Sequence, residues 1–539
     1  MTSYMTINGK KVPFNPGESV LDAATNAGIF IPTLCARPDL PSYGACRLCI
    51  VDVEGVRGYP NSCTLPAQEH MVVRTSTPDL QSIRRNIFEL ILSEHPSVCI
   101  VCKNREECDS LRFGSTKAGR VIGCNTCSQK EVCEIRKLAD YFRIRDIHYP
   151  LIYKDLPLER YDPFMERDYN LCILCDRCVR ACQEVLGHSA IALTKRGHDT
   201  KVGTLLDVPH LESGCVFCGH CIDVCPTGAL TARDSKWYGK PDVSVETTCT
   251  MCSHNCQLIA DVKWGKVVSF HPETSDKMSA RREYCVKGRF TVPGLINGLG
   301  RLKYPTIKRG ELTNELYPVE WDDAIQFLTE HLRKYGPEEV GFFISPFLSD
   351  ESIFVLTKLA KDVAGSKIAF DNSDLLNLES AGIKFLYATQ QAIRLAEMKE
   401  VEFLVLSDWQ ESHYQELASV VLPATTFVEE DGTKTGVEFM QNYLHKAADP
   451  PGYALPDWQI ASMVGRALGL EGYDYQTLED VRDDMAQSLM GSVDVPLVPK
   501  EGLEYRGVEI AKKVDDFRYY LVAKRNIAEE SGVEFHVKF

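Results

Sequence analysis

All 22 cysteines of this 539-residue chain fall between Cys35 and Cys285, and none occurs in the 254 residues that follow. The chain therefore has two chemical halves. Its N-terminus, beginning Met1-Thr2-Ser3-Tyr4-Met5, shows neither a basic leader with an apolar stretch nor twin arginines, which predicts a cytoplasmic, reducing setting. In that setting, cysteines at short repeated spacings read as metal or cluster ligands rather than as disulfides. Length predicts several compact units. The formal charge of -15 repels phosphate backbones, so nucleic acid is a poor partner. No apolar run reaches the roughly 18 residues of a membrane span.

The first cysteines follow a hairpin signal. Tyr4 to Ile7 and Lys11 to Phe14 alternate around Asn8-Gly9, a dipeptide suited to the positive-φ positions of a two-residue turn. A helix is predicted from Ser19, with Val20, Leu21, Ala24 and Ala27 as its apolar stripe before Gly28. Cys35, Cys46, Cys49 and Cys63 then run C-x10-C-x2-C-x13-C, with Gly44 and Ala45 small enough for backbone amides to approach sulfur. The spacing predicts a 2Fe-2S loop, with a zinc site as the alternative. With Ile31-Pro32-Thr33-Leu34-Cys35, the segment resembles the N-terminal β-grasp ferredoxin domain of large iron-sulfur subunits. That family is shared by respiratory complex I, cytoplasmic hydrogenases and NAD-linked formate dehydrogenases.

His95, Cys99, Cys102 and Cys108 form H-x3-C-x2-C-x5-C after an amphipathic stretch from about Leu80 to Leu92. In the family resembled, this pattern holds a 4Fe-4S cluster with one histidine ligand. Imidazole in place of thiolate removes negative charge and raises the potential. The cysteine triplet recurs as Cys124, Cys127 and Cys133, with fifteen residues between it and Cys108 and without a second histidine. Seven ligands cannot complete two tetrahedral sets. The tail Cys133-Glu134-Ile135-Arg136-Lys137-Leu138-Ala139 resembles the helix that follows the histidine-ligated cluster, so His95 could join either triplet. Two arrangements stay open. Either one triplet joins His95 while the other holds a second metal with an outside ligand, or the two C-x2-C pairs form a zinc site.

Cys172, Cys175, Cys178 and Cys182 are repeated as Cys215, Cys218, Cys221 and Cys225, each C-x2-C-x2-C-x3-C, with 32 residues between the runs and Pro226 after the second. In the two-cluster bacterial ferredoxin run the fourth cysteine ligates the other cluster. Cys172, Cys175, Cys178 and Cys225 are thus expected on one 4Fe-4S, and Cys215, Cys218, Cys221 and Cys182 on its neighbour. Cys249, Cys252, Cys256 and Cys285 follow as C-x2-C-x3-C-x28-C, enclosing strand-like stretches Leu258 to Val262 and Val267 to Phe270 about a turn at Gly265. Together with Val286-Lys287-Gly288-Arg289-Phe290 this resembles the 4Fe-4S domain that opens the molybdopterin oxidoreductases. By that resemblance Lys287 takes a relay position between cluster and pterin.

From about Leu302 the pattern is α/β. Trp321 to Tyr335 and Glu351 to Ala364 read as helices, Val340 to Ile344 and Val401 to Leu406 as buried strands. Pro318-Val319-Glu320-Trp321-Asp322-Asp323-Ala324, Val420 to Ala424 with Glu429, Gly432 and Thr433, and Pro456-Asp457-Trp458 resemble molybdopterin-oxidoreductase signatures. A catalytic member of that family needs several hundred residues to wrap two pterins, and a cysteine, selenocysteine, serine or aspartate for the metal. Only Lys367 to Asp374 offers itself as the ligand loop, and the next core strand is expected about 27 residues later, so the middle of the fold reads as deleted. Gly436, Phe439 and Met440 stand where the family has asparagine and arginine. The half reads as a degenerate scaffold without molybdopterin.

Other chemistry has no motif. There is no P-loop, H-E-x-x-H or G-x-S-x-G, and Gly294, Gly298 and Gly300 lack dinucleotide spacing. Every cysteine belongs to a ligand group, so no thiol nucleophile and no catalytic residue is expected. The expected fold is multidomain α+β: a β-grasp 2Fe-2S domain over 1–79, a His/Cys 4Fe-4S domain with a duplicated triplet over 80–160, and a two-cluster ferredoxin over 161–235. A molybdopterin-oxidoreductase-type 4Fe-4S domain over 243–300 and a truncated α/β domain over 301–539 complete it. One 2Fe-2S and four or five 4Fe-4S clusters are expected, with zinc an alternative in the 99–133 region.

The resemblance implies an electron-transfer subunit of an NAD(P)H-linked, hydrogenase-type oxidoreductase complex, compatible with electron bifurcation. FMN and NAD(P) would sit in a flavoprotein partner, beside a small 2Fe-2S subunit, separate catalytic subunits and ferredoxin. The alternatives are the complex I large subunit and a molybdenum or tungsten formate dehydrogenase.

Overall fold

A computed structural model describes residues 3–96, 98–111, 121, 123–252, 254–272, 284–308, 315–365, 367–370, 378, 381–390, 399–435 and 441–490. Gly436, Phe439, Met440 and residues 371–374 of the expected ligand loop lie outside them. The chain divides into two compact units, Met1–Pro241 with His271–Val286, and Asp242–Phe270 with Lys287–Phe539. No described helix is long and apolar enough to cross a membrane.

The first unit begins with the hairpin Ser3–Ile7 and Lys10–Phe14, whose turn places Asn8 and Gly9 at φ 51° and 81°. Val72–Arg74 pairs parallel to the first strand and antiparallel to Asp52–Val53, giving a mixed four-stranded sheet. Met5, Ile7, Val12 and Phe14 alternate onto one face, where helix Val20–Asn26 covers them. Ser19 starts that helix as the sequence predicts: its hydroxyl accepts from the Asp22 amide while the Asp22 carboxylate accepts from the Ser19 amide. A second core joins helices Pro78–Ser93 and Glu134–Tyr141 through Phe88, Leu92, Ile135, Leu138 and Phe142. Leu34 and Leu48, neighbours of Cys35 and Cys49, are buried in it, each contributing roughly 1.5–3 kcal/mol by its burial.

Farther along, two cysteine-bearing turns are braced by the strand pairs Met165–Arg167 with Leu230–Ala232 and Ala192–Thr194 with Lys201–Gly203. The first run carries one α-helical turn, Arg177–Arg180, continuing into a π-helical segment Ala181–Val185, and the second carries the turn His220–Asp223.

The second unit holds a three-stranded sheet, Val243–Thr248, Gln257–Lys263 and Lys266–His271, turning at Gly265 with φ 74°. Its larger sheet has seven strands in the order Leu316–Pro318, Thr306–Lys308, Val420–Pro423, Phe403–Asp408, Phe385–Thr389, Val340–Phe343 and Ile368–Ala369. The last five are parallel and the first two antiparallel. Helices Trp321–Leu332, Asp350–Ala364 and Asp457–Leu468 cover the face bearing Phe342, Tyr387, Val405 and Leu422. Phe343, Leu386, Leu404 and Val421 fill a separate core on the opposite face, as a doubly covered parallel sheet requires.

One expectation is overturned here. The interval between the expected ligand loop and the next core strand is not bare: Phe385–Thr389 forms a central strand within it, paired parallel to Val340–Phe343 and to Phe403–Asp408. A run of four apolar residues and a threonine, without alternation, carries no period by which to tell strand from helix, so the sequence pattern alone does not reveal it.

Candidate metal centres

The first four cysteines are brought together. Cys35, Cys49 and Cys63 are buried and Cys46 half-buried. The Cys35 thiol is hydrogen-bonded to those of Cys46 and Cys63, and Cys49 to Cys63. These contacts pull Cys35 and Cys49 below the ordinary thiol range and push Cys46 and Cys63 above it, so the four titrate as one set. Backbone amides converge on the same sulfurs, with the Cys46 amide 3.5 Å from Cys35 Sγ and the Leu34 amide 3.4 Å from Cys46 Sγ. Gly44 at φ 74° and Arg47 at φ 58° supply the left-handed backbone that wraps the loop round them.

The ferredoxin-like runs line two cavities. One is walled by Cys172, Cys175, Cys178 and Cys225, with Tyr169, Leu230 and Val202 as apolar lining. The other is walled by Cys215, Cys218, Cys221 and Cys182, with Ile191 and Leu186 beside them. Three thiols of each cavity thus come from one run and the fourth from the other.

The loops repeat. Leu174 and Phe217, each two residues after a leading cysteine, have φ 53° and 54°, and Asp176 and Gly219 have φ 62° and 78°. The left-handed turn aims the residue's own amide back at the cysteine, at 3.4 Å for Phe217 to Cys215 Sγ. The Leu174 amide bonds Cys172 in the same way. For residues other than glycine this conformation costs roughly 1–2 kcal/mol each, offset here by the amide–sulfur bonds. Burial is the main influence on these thiols, pushing Cys172 up to about 11 and Cys175 and Cys215 to about 12. An empty cavity therefore favours neutral thiols, and cationic iron would favour the thiolates that bind it.

The seven-ligand region is partly gathered. His95 is buried, and its Nδ1 has no hydrogen-bond partner. The ring's bond to the Leu171 carbonyl fixes the other nitrogen as donor, while burial lowers the imidazole to about 4. A neutral histidine with one orphaned, acceptor-ready nitrogen fits a metal ligand. Burial raises Cys124, Cys127 and Cys133; the charge of Cys133 adds to the first two, Cys99 also acts on Cys124, and Cys225 and Glu134 act on Cys133. Cys102 is exposed and Cys99 and Cys108 half-buried. Cys249 is buried, Cys252 and Cys256 half-buried, and the Cys249 amide donates to the Cys256 carbonyl at 2.9 Å. Cys285 and Lys287 are exposed. Among the described residues, no three Cys, His, Asp or Glu side chains close on a single-ion site. A cluster differs in taking its thiolates on separate irons.

Five stretches match known domains in register with these groups. Residues 4–78 match the 2Fe-2S iron-sulfur cluster binding domain, and 84–109 the NADH-ubiquinone oxidoreductase-G iron-sulfur binding region. Residues 162–231 match the ferredoxin-like domain of NADH-quinone oxidoreductase subunit 3, and 242–293 the molybdopterin oxidoreductase Fe4S4 domain. Residues 301–378 and 373–467 match molybdopterin oxidoreductase itself. This series of domains resembles that of the large iron-sulfur subunits.

Curated relatives are consistent with this. An NADH-quinone oxidoreductase subunit of Rhizobium meliloti (strain 1021) is 31% identical over 67% of this chain and 39% of its own length. NADPH-Fe(3+) oxidoreductase subunit alpha of Geobacter sulfurreducens (strain DL-1 / KN400) is 31% identical over 72% and 41%. A putative formate dehydrogenase of Staphylococcus aureus (strain N315) is 27% identical over 67% and 38%. The chain thus spans about two fifths of the length of these relatives. The solved structure of NAD+-reducing NiFe-hydrogenase in the H2-reduced state aligns over 43% of this chain and 87% of that one, at 27% identity and a TM-score of 0.36.

In the part matching molybdopterin oxidoreductase, buried acids gather at the strand ends. Ligands of open parallel sheets bind beyond the carboxyl ends of the strands. There Asp350, Glu351, Glu430 and Asp457 are buried, with Asp408 half-buried beside them. The cations present are already engaged: the Lys434 ammonium donates to the carbonyls of Pro346 and Leu348, and Arg482 pairs with Glu351. Burial raises Asp457 to about 7 and Glu430 to about 8, and each carries an unfavourable contribution from a neighbouring carboxylate. Raised so, both acids hold their protons over much of the neutral range.

The sequence does not announce the arginines. Arg84, Arg177 and Arg180 are among the largest fully buried side chains, and nothing in their spacing distinguishes them from surface charges.

Proposed function

We propose that this chain is the electron-relay subunit of a cytoplasmic, NAD(P)-linked, hydrogenase-type oxidoreductase complex and carries no catalytic site of its own. The observation that carries the proposal is the pair of adjoining four-cysteine cavities, each completed by a thiol from the other run. Small, thiol-lined and braced by apolar walls, they suit two 4Fe-4S clusters and leave little room for a substrate. Clusters held so would supply one-electron exchange. The protein's own contribution is to bury them, to direct amides at their sulfurs and to hold one set beside the next.

In this reading residues 1–79 form a β-grasp ferredoxin domain with a 2Fe-2S on Cys35, Cys46, Cys49 and Cys63. Residues 80–160 hold a 4Fe-4S with His95 as one ligand, the second triplet taking another cluster or zinc. Residues 161–235 hold the crossed pair, and 243–300 a further 4Fe-4S on Cys249, Cys252, Cys256 and Cys285. Residues 301–539 serve as a scaffold. A flavoprotein subunit would exchange electrons with NAD(P)H, a small 2Fe-2S subunit and ferredoxin would join it, and a separate subunit would turn over the terminal substrate, with or without bifurcation.

Anaerobic purification followed by metal analysis and identification of co-purifying subunits tests the proposal. The expected protein is brown, carries on the order of twenty irons by summing cluster types, and is accompanied by a flavoprotein. Zinc in place of iron, or stoichiometric molybdenum or tungsten, would overturn it. The molybdenum or tungsten result would favour formate dehydrogenase chemistry in this chain.

A further inference from the structure

The interior of the first unit is threaded with guanidinium groups that cluster ligation by itself does not require. Arg177 and Arg180, 2% and 1% exposed, stand on the helical turn that carries Cys178. Arg177 lies between Cys175 and Cys178 in sequence, and its side chain touches residues adjacent to three other candidate ligands. Nη2 donates to the carbonyl of Ala36, the residue after Cys35, at 3.2 Å. Nη1 donates to the carbonyl of Val224, the residue before Cys225, at 3.4 Å. Both amino groups bind the carboxylate of Glu134, the residue after Cys133, at 2.6 and 2.8 Å. Arg180 adds bonds to the carbonyls of Cys35, at 2.5 Å, and of Pro41. The Nε of each arginine has no hydrogen-bond partner.

Burying a guanidinium costs several kcal/mol of lost hydration, and neutral groups could join the same loops at lower cost. What a neutral joint would not provide is charge. Glu134 is the carboxylate paired with Arg177, and its side chain is 35% exposed, so the cation is only partly neutralised. Adding an electron to a cluster adds negative charge, and a fixed cation in a low-dielectric interior favours that state.

We infer that Arg177 is a positioning residue shared by three cysteine sets: it ties the Cys35, Cys133 and Cys225 loops to the Cys175–Cys178 loop, and its charge raises the reduction potentials of the clusters held there. The inference rests on the cysteines being cluster ligands.

The test is a redox titration of the full chain, prepared anaerobically and followed by electron paramagnetic resonance, with iron and sulfide content measured for each variant. Arg177→Gln is expected to lower the potentials of both the 2Fe-2S and the cluster on Cys172, Cys175, Cys178 and Cys225. Arg177→Lys, which keeps the charge but not the fork, is expected to fall less. Glu134→Gln, which removes the counter-charge and leaves the arginine, is expected to shift them upward. Unchanged potentials in iron-loaded Arg177→Gln would overturn the inference, as would Arg177→Lys falling as far as Arg177→Gln. If Arg177→Gln loses iron, the sign of the Glu134→Gln shift still decides, and a downward shift counts against the role. An iron-free wild-type chain would instead defeat the cluster reading beneath it.

Discussion

Arg301 and Glu429 form a two-pronged ion pair, Nη1 to Oε1 at 2.6 Å and Nη2 to Oε2 at 2.7 Å, with both side chains 2% exposed. The arginine also donates to the carbonyls of Trp409 and Ile296, so it ties three segments of the second unit together. Glu429→Ala leaves that guanidinium buried without its counter-ion, and a loss of about 3–5 kcal/mol is expected. Replacing both partners by apolar residues, as in Arg301→Met with Glu429→Leu, should recover much of it. Denaturant unfolding of the single and double variants checks both statements.

Stability of the second unit should fall as pH rises from about 5 to 7.5. Asp457 and Glu430 are raised from ordinary values of 3.8 and 4.5 to about 7 and about 8, chiefly by burial. Across that window the folded chain retains protons that the unfolded chain has released. The slope is therefore negative, by up to about 1.4 kcal/mol per pH unit for each proton retained. Asp457→Asn removes one of the two groups and should flatten the decline. Unfolding midpoints measured between pH 5 and 7.5 would show it, and equal slopes for variant and wild type would contradict the assignment.

Crossed ligation makes a prediction about pairs of substitutions. Cys172 and Cys225 face the same cavity, so Cys172→Ser with Cys225→Ser should cost one 4Fe-4S, about four irons. Cys172 and Cys182 face different cavities, so that pair of substitutions should cost two. Each run binding its own cluster would give the reverse. Iron and sulfide counts on anaerobic preparations distinguish the two patterns.

His95→Cys should lower the potential of the cluster in the 95–133 region, because a thiolate brings the negative charge that imidazole lacks. The orphaned Nδ1 is the atom the substitution replaces. A redox titration in which every 4Fe-4S signal keeps its wild-type potential would remove His95 from the ligand set.

How much of the molecule is legible in its sequence depends on how local the cause is. Asn8-Gly9 and Ser19 act on their own turn of backbone, and the hairpin and capped helix appear where those residues announce them. The cysteine spacings also act locally, because each C-x2-C loop wraps its own sulfurs. Arg177 shows the limit. Its burial is decided by Ala36, 141 positions away in the chain, and by Glu134 and Val224, 43 and 47 away, none of which its own neighbours specify. Phe385–Thr389 is hidden for a related reason: its short, mostly apolar run takes its strand identity from partners on both sides. The acids at the strand ends are equally hidden, since Asp457 is legible as part of a family phrase but not as a buried group.

The exchange of fourth thiols between the two ferredoxin-like runs has a consequence for how the protein matures. Neither cavity can be completed until both stretches of chain have been made and have met, so loading either one also clasps the polypeptide shut. Iron delivery and folding then become a single event, and a chain interrupted between Cys182 and Cys215 could finish neither.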